Sequence, residues 1–273
     1  MPASALALAL GAAFLHAFWN LILARARDIE ASTAVALVAG IVLFAPVAAL
    51  AWDAEPRVVP FLIVTSLLQL TYFVLLAAAY GRAELSFVYP IARGSAPVLV
   101  LIAGVALLGE AASTAQVGGV LLVAAGVLLV RGVGGRASAG DLALALAIGV
   151  CIASYTLLDQ RGIQYASPVV YQELSMIPAT VGFLALTLAR RGRPAVRAAV
   201  GLPSIAAGLA TFGAYVLVLA ALARAPAASV AAVRETSVVI ATALAAPLLH
   251  ERVGTARVAG AALVVVGVVL LGI

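Results

Sequence analysis

Leu107-Leu108-Gly109-Glu110, followed by Thr114-Ala115, Gly119 and Gly126, returns 141 residues later as Leu248-Leu249-His250-Glu251, followed by Thr255-Ala256, Gly260 and Gly267. The same offset lays Arg93 on Arg234. One residue more brings Ala78-Ala79-Tyr80-Gly81-Arg82-Ala83 onto Ala220-Ala221-Leu222-Ala223-Arg224-Ala225, and an offset of 136 aligns the Ala/Leu-rich stretches that start at Leu6 and Leu142. Self-similarity at a fixed offset has to be read before any motif. Here it divides the chain into two related halves, residues 1–131 and 141–273.

Composition says what each half is made of. Of 273 residues, 65% are apolar and 10% charged, and the mean hydropathy is +1.21. Soluble domains are about 25% charged, so too few polar side chains exist to coat a water-facing surface, and a soluble enzyme is excluded. A helix that crosses a bilayer needs roughly 20 apolar residues. Apolar runs of that kind fall near 4–24, 31–52, 58–80, 86–108 and 112–130, and again near 141–158, 168–189, 200–222, 227–249 and 253–272. The breaks between them, such as Asp53-Ala54-Glu55-Pro56-Arg57 and Arg190-Arg191-Gly192-Arg193-Pro194, are charged and turn-rich, as water-exposed connections are. Five spans per half is an odd number. The second half therefore enters the membrane from the opposite face, and the repeats are inverted about an axis in the membrane plane, a construction common among alternating-access carriers. The expected fold is an all-α membrane protein: ten transmembrane helices arranged as two inverted five-helix repeats around a central cavity.

All sixteen basic residues are Arg, and the formal charge is +5. Eleven arginines lie in connections after odd-numbered spans (Arg25, Arg27, Arg82, Arg131, Arg136, Arg190, Arg191, Arg193, Arg197, Arg252, Arg257), and three lie opposite (Arg57, Arg161, Arg224). This asymmetry is a topology signal rather than a nucleic-acid footprint. It places the odd-numbered connections in the cytoplasm and both termini outside. The first apolar run has no basic segment before it and charged residues after it, so it stays as a helix and is not a cleaved leader. A lone Cys151 rules out an intrachain disulfide, and no His, Cys or carboxylate set has metal-ligand spacing. No cofactor and no metal are expected, and no hydrolase elbow or phosphate loop is present.

Ionisable side chains inside spans are costly, which makes them the first functional candidates. They are His16, Arg93, Glu173, Arg234 and Glu235. Arg93 and Arg234 are repeat-equivalent, and two guanidiniums can hold a carboxylate or phosphate by paired hydrogen bonds. The competing reading pairs them internally with Glu173 and Glu235, giving a neutral interior. On a continuous helix Arg234 and Glu235 point about 100° apart, so Arg234 shares its face with Ser237 while Glu235 meets a neighbouring helix. His16, Trp19 and Asn20 share one helix face. His16 either titrates and couples transport to protons or hydrogen-bonds across helices. Gln69, Tyr72, Tyr89 and Tyr155 add polar-tipped side chains suited to the body of an organic molecule. The glycines spaced by seven, Gly119/Gly126 and Gly260/Gly267, mark faces where backbones approach closely. They either dock the halves together or form a homodimer surface through the last helix of each repeat.

The stretches His16-Ala17-Phe18-Trp19-Asn20, Tyr89-Pro90-Ile91-Ala92-Arg93-Gly94-Ser95-Ala96-Pro97 and Arg234-Glu235-Thr236-Ser237, with Leu108-Gly109-Glu110 and Leu249-His250-Glu251-Arg252 before the last helix of each half, resemble the EamA-type transporters of the drug/metabolite transporter superfamily. The resemblance covers the whole chain as two halves. It implies ten helices around a central cavity, four per half lining it, in carriers that export or exchange amino acids and other small metabolites. The glycine pairs resemble the face that small four-helix relatives use to dimerise. Those relatives carry a proton-coupling Glu in their first helix, and His16 is the sole titratable group in that span here. Many members are drawn with cytoplasmic termini, opposite to the Arg count.

The function expected from these readings is a secondary transporter of the bacterial inner membrane. It exports a small zwitterionic or anionic organic metabolite, such as an amino acid, and its partners are that solute and the lipid bilayer. Arg93 and Arg234 serve the anionic group, Trp19, Tyr72, Tyr89 and Tyr155 the organic body, and Glu173 or Glu235 the charge balance. The alternative is a membrane-embedded enzyme or other protein that handles lipid.

Overall fold

A computed structural model of the chain describes residues 1–82, 85–131, 138–249 and 254–272, without the side chains at 80–82, 85–87, 89, 90, 131, 242 and 244–249. The described residues form helices α1 (Ala3–Ala24), α2 (Ile29–Leu50), α3 (Val59–Arg82), α4 (Leu85–Leu108), α5 (Thr114–Arg131), α6 (Ala139–Gly162), α7 (Pro168–Ala198), α8 (Leu202–Leu222), α9 (Ala227–Arg234), α10 (Thr236–Leu249) and α11 (Thr255–Gly272), with a short 3-10 turn at Pro56–Val58. No strand occurs among them. Every apolar run read from the sequence falls on helix. Among the described residues eight helices are long and apolar enough to cross a membrane; the apolar stretch of α5, Thr114–Val130, is shorter, and the run at 227–249 is divided between α9 and α10.

Helix is the outcome expected in hydrocarbon, where a backbone group without a partner costs several kcal/mol and an α-helix pairs its own. The ends are set by local chemistry. Asp28 Oδ1 accepts from Ala31 N at 3.0 Å to start α2, and Ser138 and Asp141 form a reciprocal capping box at the start of α6. Gly109, at φ +67°, lies just past the end of α4, where a left-handed residue terminates a helix without a Cβ clash. Gly192, at φ +79°, separates the apolar part of α7 from its basic tail.

The two halves interlock. α1 packs on α8, α9 and α10, and its repeat counterpart α6 packs on α3 and α4; α2 meets α7 and α8, while α7 also meets α3. Each of these cross-half contacts has a partner with the roles exchanged. The most extensive contact is between α5 and α11. A Cβ built on Gly126 would lie 2.6 Å from Gly260 O, and one on Gly260 2.7 Å from Gly126 O; Gly119 and Gly267 are related in the same way, at 2.8 and 2.7 Å. The order of these pairs makes α5 and α11 antiparallel. The glycine faces therefore dock the halves within one chain, and a homodimer through these helices would use their outer faces, where Leu121, Leu129, Val265 and Val269 are exposed.

Candidate functional site

The charged pair in the run 227–249 sits where the helix breaks. α9 ends at Arg234, Glu235 follows at φ −68° and ψ −11°, and α10 starts at Thr236. Glu235 N donates to Ala232 O at 3.0 Å, a single 3-10 turn, and Thr236 Oγ1 donates to Val233 O at 2.8 Å. Glu235 Oε2 lies 2.9 Å from Nε of Arg93 on α4, and its Oε1 lies 4.0 Å from Nε of Arg234. Arg93 Nη2 also donates to Ser237 Oγ at 3.2 Å. All four side chains are buried. As expected, Glu235 meets a neighbouring helix, at Arg93 of α4, and the 4.0 Å approach of Arg234 Nε to Glu235 Oε1 brings Arg234 into the same cluster.

Two guanidiniums thus share one carboxylate. Among the described residues Nε and Nη2 of Arg234 have no hydrogen-bond partner. Donors left over on a buried cation are costly, and their planar fork suits the two oxygens of a carboxylate or phosphate. Glu173, the other expected charge partner, stands apart from this cluster: it is buried on α7 and its Oε2 has no hydrogen-bond partner among the described residues.

The His16 triplet binds largely to itself. Trp19 Nε1 donates to His16 Nδ1 at 3.3 Å and Asn20 Nδ2 donates to His16 O at 2.7 Å, so these bonds run along α1 and not across helices. His16 lies within electrostatic range of Arg93 and Arg234. Trp19 packs beside Leu23, Ala36 and Ala207. Tyr72 and Tyr155 do converge. A chain of rings runs from Phe183 through Phe73 and Tyr72 to Tyr155 and Tyr215, with centroids 5.2 to 6.2 Å apart. Gln69 is buried on α3. The side chain of Tyr89, and His250, lie outside the described residues.

Two spaces adjoin the chain of rings, one of them also touching Arg93. A chamber of about 10 Å³, room for one water, is lined by Arg93, Tyr72, Ile148 and Ile152. A wider vestibule of about 320 Å³ lies between the α1–α2 turn, α3 and α7, lined by Asp28, Glu30, Phe73, Phe183 and Arg191. Leu76 lines both. At the vestibule Arg191 Nε stands 2.9 Å from Glu30 Oε2 and 3.8 Å from Asp28 Oδ2. Beyond the other end of α2 the connections are tied together: Ser167 N donates to Asp53 Oδ1 at 2.8 Å, Glu55 N donates to Tyr165 O at 2.9 Å, and Phe61 stacks on Tyr165.

One charged residue was missed as a site candidate. Asp159, fully buried on α6, accepts hydrogen bonds from Thr65, Tyr171 and Tyr215. Ending the sixth apolar run at 158 leaves Asp159 in a connection, whereas α6 continues to Gly162. The available signal was its position one turn after Tyr155 on the polar face of the helix.

A model described as the EamA-like transporter family matches residues 3–132 and again 140–273. No curated protein matches the chain. A solved crystal structure, titled only as that of a protein, superposes with a TM-score of 0.78 over all of this chain and 99% of its own, at 19% identity, a likeness of fold alone.

Proposed function

Since the chain belongs to the EamA-like transporter family, we propose that it is a ten-span carrier of two inverted five-helix repeats that moves a small zwitterionic or anionic organic metabolite out of a bacterial cell by alternating access. The observation that carries this reading is the buried cluster in which Arg93 and Arg234 share Glu235, with donors of Arg234 left over, at the junction of α4 with α9 and α10. A carboxylate or phosphate on the cargo takes those donors, and Tyr72 and Tyr155 flank its organic body. Broken helices at the middle of a carrier commonly form such sites.

The inverted arrangement is supported by the antiparallel glycine contact of α5 with α11, which exchanges equivalent residues between the halves. The vestibule has the size of a small-molecule pocket and lies on the arginine-rich side, which the positive-inside bias assigns to the cytoplasm. Cargo then enters from that side, past Leu76, into a chamber that is closed around one water's space. Release requires the tie between Asp53 and Ser167 to open while the Arg191 pairs with Asp28 and Glu30 stay formed.

Counterflow into proteoliposomes, screened over amino acids, phosphonates and sugar phosphates, tests the reading. Saturable uptake of at least one solute is expected, lowered about tenfold or more by Arg93→Ala and by Arg234→Ala, as losing a charged hydrogen bond implies. If both variants carry every transported solute at the wild-type rate, the assignment is wrong. Turnover of a lipid with no solute flux would favour the alternative.

A further inference from the structure

Among the described residues the buried acids are Asp159, Glu173 and Glu235, and they differ in what surrounds them. Glu235 faces guanidiniums, which only donate, so only its ionised form fits. Asp159 is enclosed by hydroxyls from three other helices. Thr65 of α3 donates to Oδ1 at 2.6 Å, Tyr171 of α7 donates to Oδ1 at 2.9 Å, and Tyr215 of α8 donates to Oδ2. The shell is built closely: a Cβ on Gly162, one turn further along α6, would lie 2.7 Å from the Tyr171 oxygen, so glycine there is what admits the tyrosine.

A hydroxyl both donates and accepts, and it rotates. The same three groups can donate to the carboxylate or, with one of them turned, accept from the neutral acid. Tyr171 is the one with a second acceptor at hand, Thr65 Oγ1 at 3.4 Å, so it can accept from the neutral acid and still place its own proton. The surroundings supply the coupling. The charged and titratable groups facing Asp159 are Tyr171 from α7, Tyr215 from α8, Arg234 from α9 and Tyr155 on α6 itself; α3 contributes Thr65. The cation of α4, Arg93, is held by Glu235. With Asp159 ionised, Arg93 and Arg234 are balanced by Glu235 and Asp159. With Asp159 neutral, one positive charge is left over, and an anion beside Arg234 restores the balance.

We propose that Asp159 is a proton-binding site of the transport cycle, and that its proton and the anionic group of the cargo bind together, linked through Arg234. The step is the addition of one proton to a carboxylate oxygen; no other bond changes. The linkage to cargo rests on the carrier reading, whereas the proton site does not.

Infrared difference spectroscopy of the full-length protein in liposomes, titrated between about pH 4 and pH 9, reads the proton site without cargo. A carboxyl C=O band is expected to grow as pH falls and to be absent from Asp159→Asn. Removing a nearby cation favours the neutral acid, so Arg234→Gln should move the midpoint of that band upward by about one pH unit. Tyr215→Phe, which removes one hydroxyl and keeps the ring, should retain the band with its midpoint also raised. Spectra of Asp159→Asn that superimpose on wild type overturn the site; an unmoved midpoint in Arg234→Gln overturns the linkage. Should Asp159→Asn fail to fold, an unmoved midpoint in Tyr215→Phe overturns the site instead. If the band behaves as expected while no solute crosses the membrane in counterflow, the carrier reading fails and the proton site stands.

Discussion

Glu235→Gln is expected to lower the thermal unfolding midpoint and the yield of monodisperse protein more than any other change to a charged side chain described above. Removing one partner of a buried ion pair costs about 3–5 kcal/mol, because the remaining charge stays out of water. Here one carboxylate serves two buried guanidiniums, Arg93 at 2.9 Å and Arg234 at 4.0 Å, so its loss removes the negative charge they share. Combined with Arg93→Gln the cost should fall well below the sum of the two single variants, the signature of groups that act as a unit. A wild-type midpoint in Glu235→Gln would mean that the cluster does not hold α4 against the α9–α10 break. The measurement is a thermal melt of purified protein in detergent, followed by the loss of monodispersity on gel filtration.

The second large effect is expected at the junction of the halves. In Gly126→Val the new Cβ meets Gly260 O at 2.6 Å, Val264 Cγ2 at 2.7 Å and Val264 N at 2.9 Å. Two of these atoms are backbone and cannot rotate away, so α5 and α11 must separate. The cost should reach or exceed the roughly 1–3 kcal/mol of ordinary overpacking. Gly118→Ala is the matched control. Its Cβ finds only Leu270 Cδ1, at 3.9 Å, and Ala is favoured over Gly in a helix by about 0.8–1.0 kcal/mol, so this variant should melt at or slightly above wild type. If Gly126→Val melts with the control, the α5–α11 contact is not what joins the halves.

Both expectations trace back to features that are visible in the sequence to different degrees. The glycines announced themselves by a spacing of seven repeated in both halves, and close approach is what such glycines allow. That they meet each other, and not a second copy of the chain, depends on which way α11 runs past α5. Arg93 and Arg234 were legible as repeat-equivalent charges inside apolar runs. Their sharing of Glu235 was not, because Arg93 is supplied by a different helix, α4; nor was the break at Glu235, which is a local 3-10 turn with neither proline nor glycine. Glu173 had the same standing in the sequence as Glu235 and stands apart from the cluster. Asp159 was passed over for a boundary set four residues too early.

The sequence by itself determined that the chain belongs in lipid, that it is helical, and that it is built twice over. Those properties follow from composition and periodicity, which are sums over many residues and tolerate local error. Only the tertiary structure decided which buried charges meet, which rings line up, and which connections are tied together. Such contacts join residues as far apart as Arg93 and Ser237, 144 positions, or Glu30 and Arg191, 161, and they depend on helix rotation, on a single break between α9 and α10, and on close packing at a few glycines. No pattern along one helix carries that information, because each partner is supplied by a different helix.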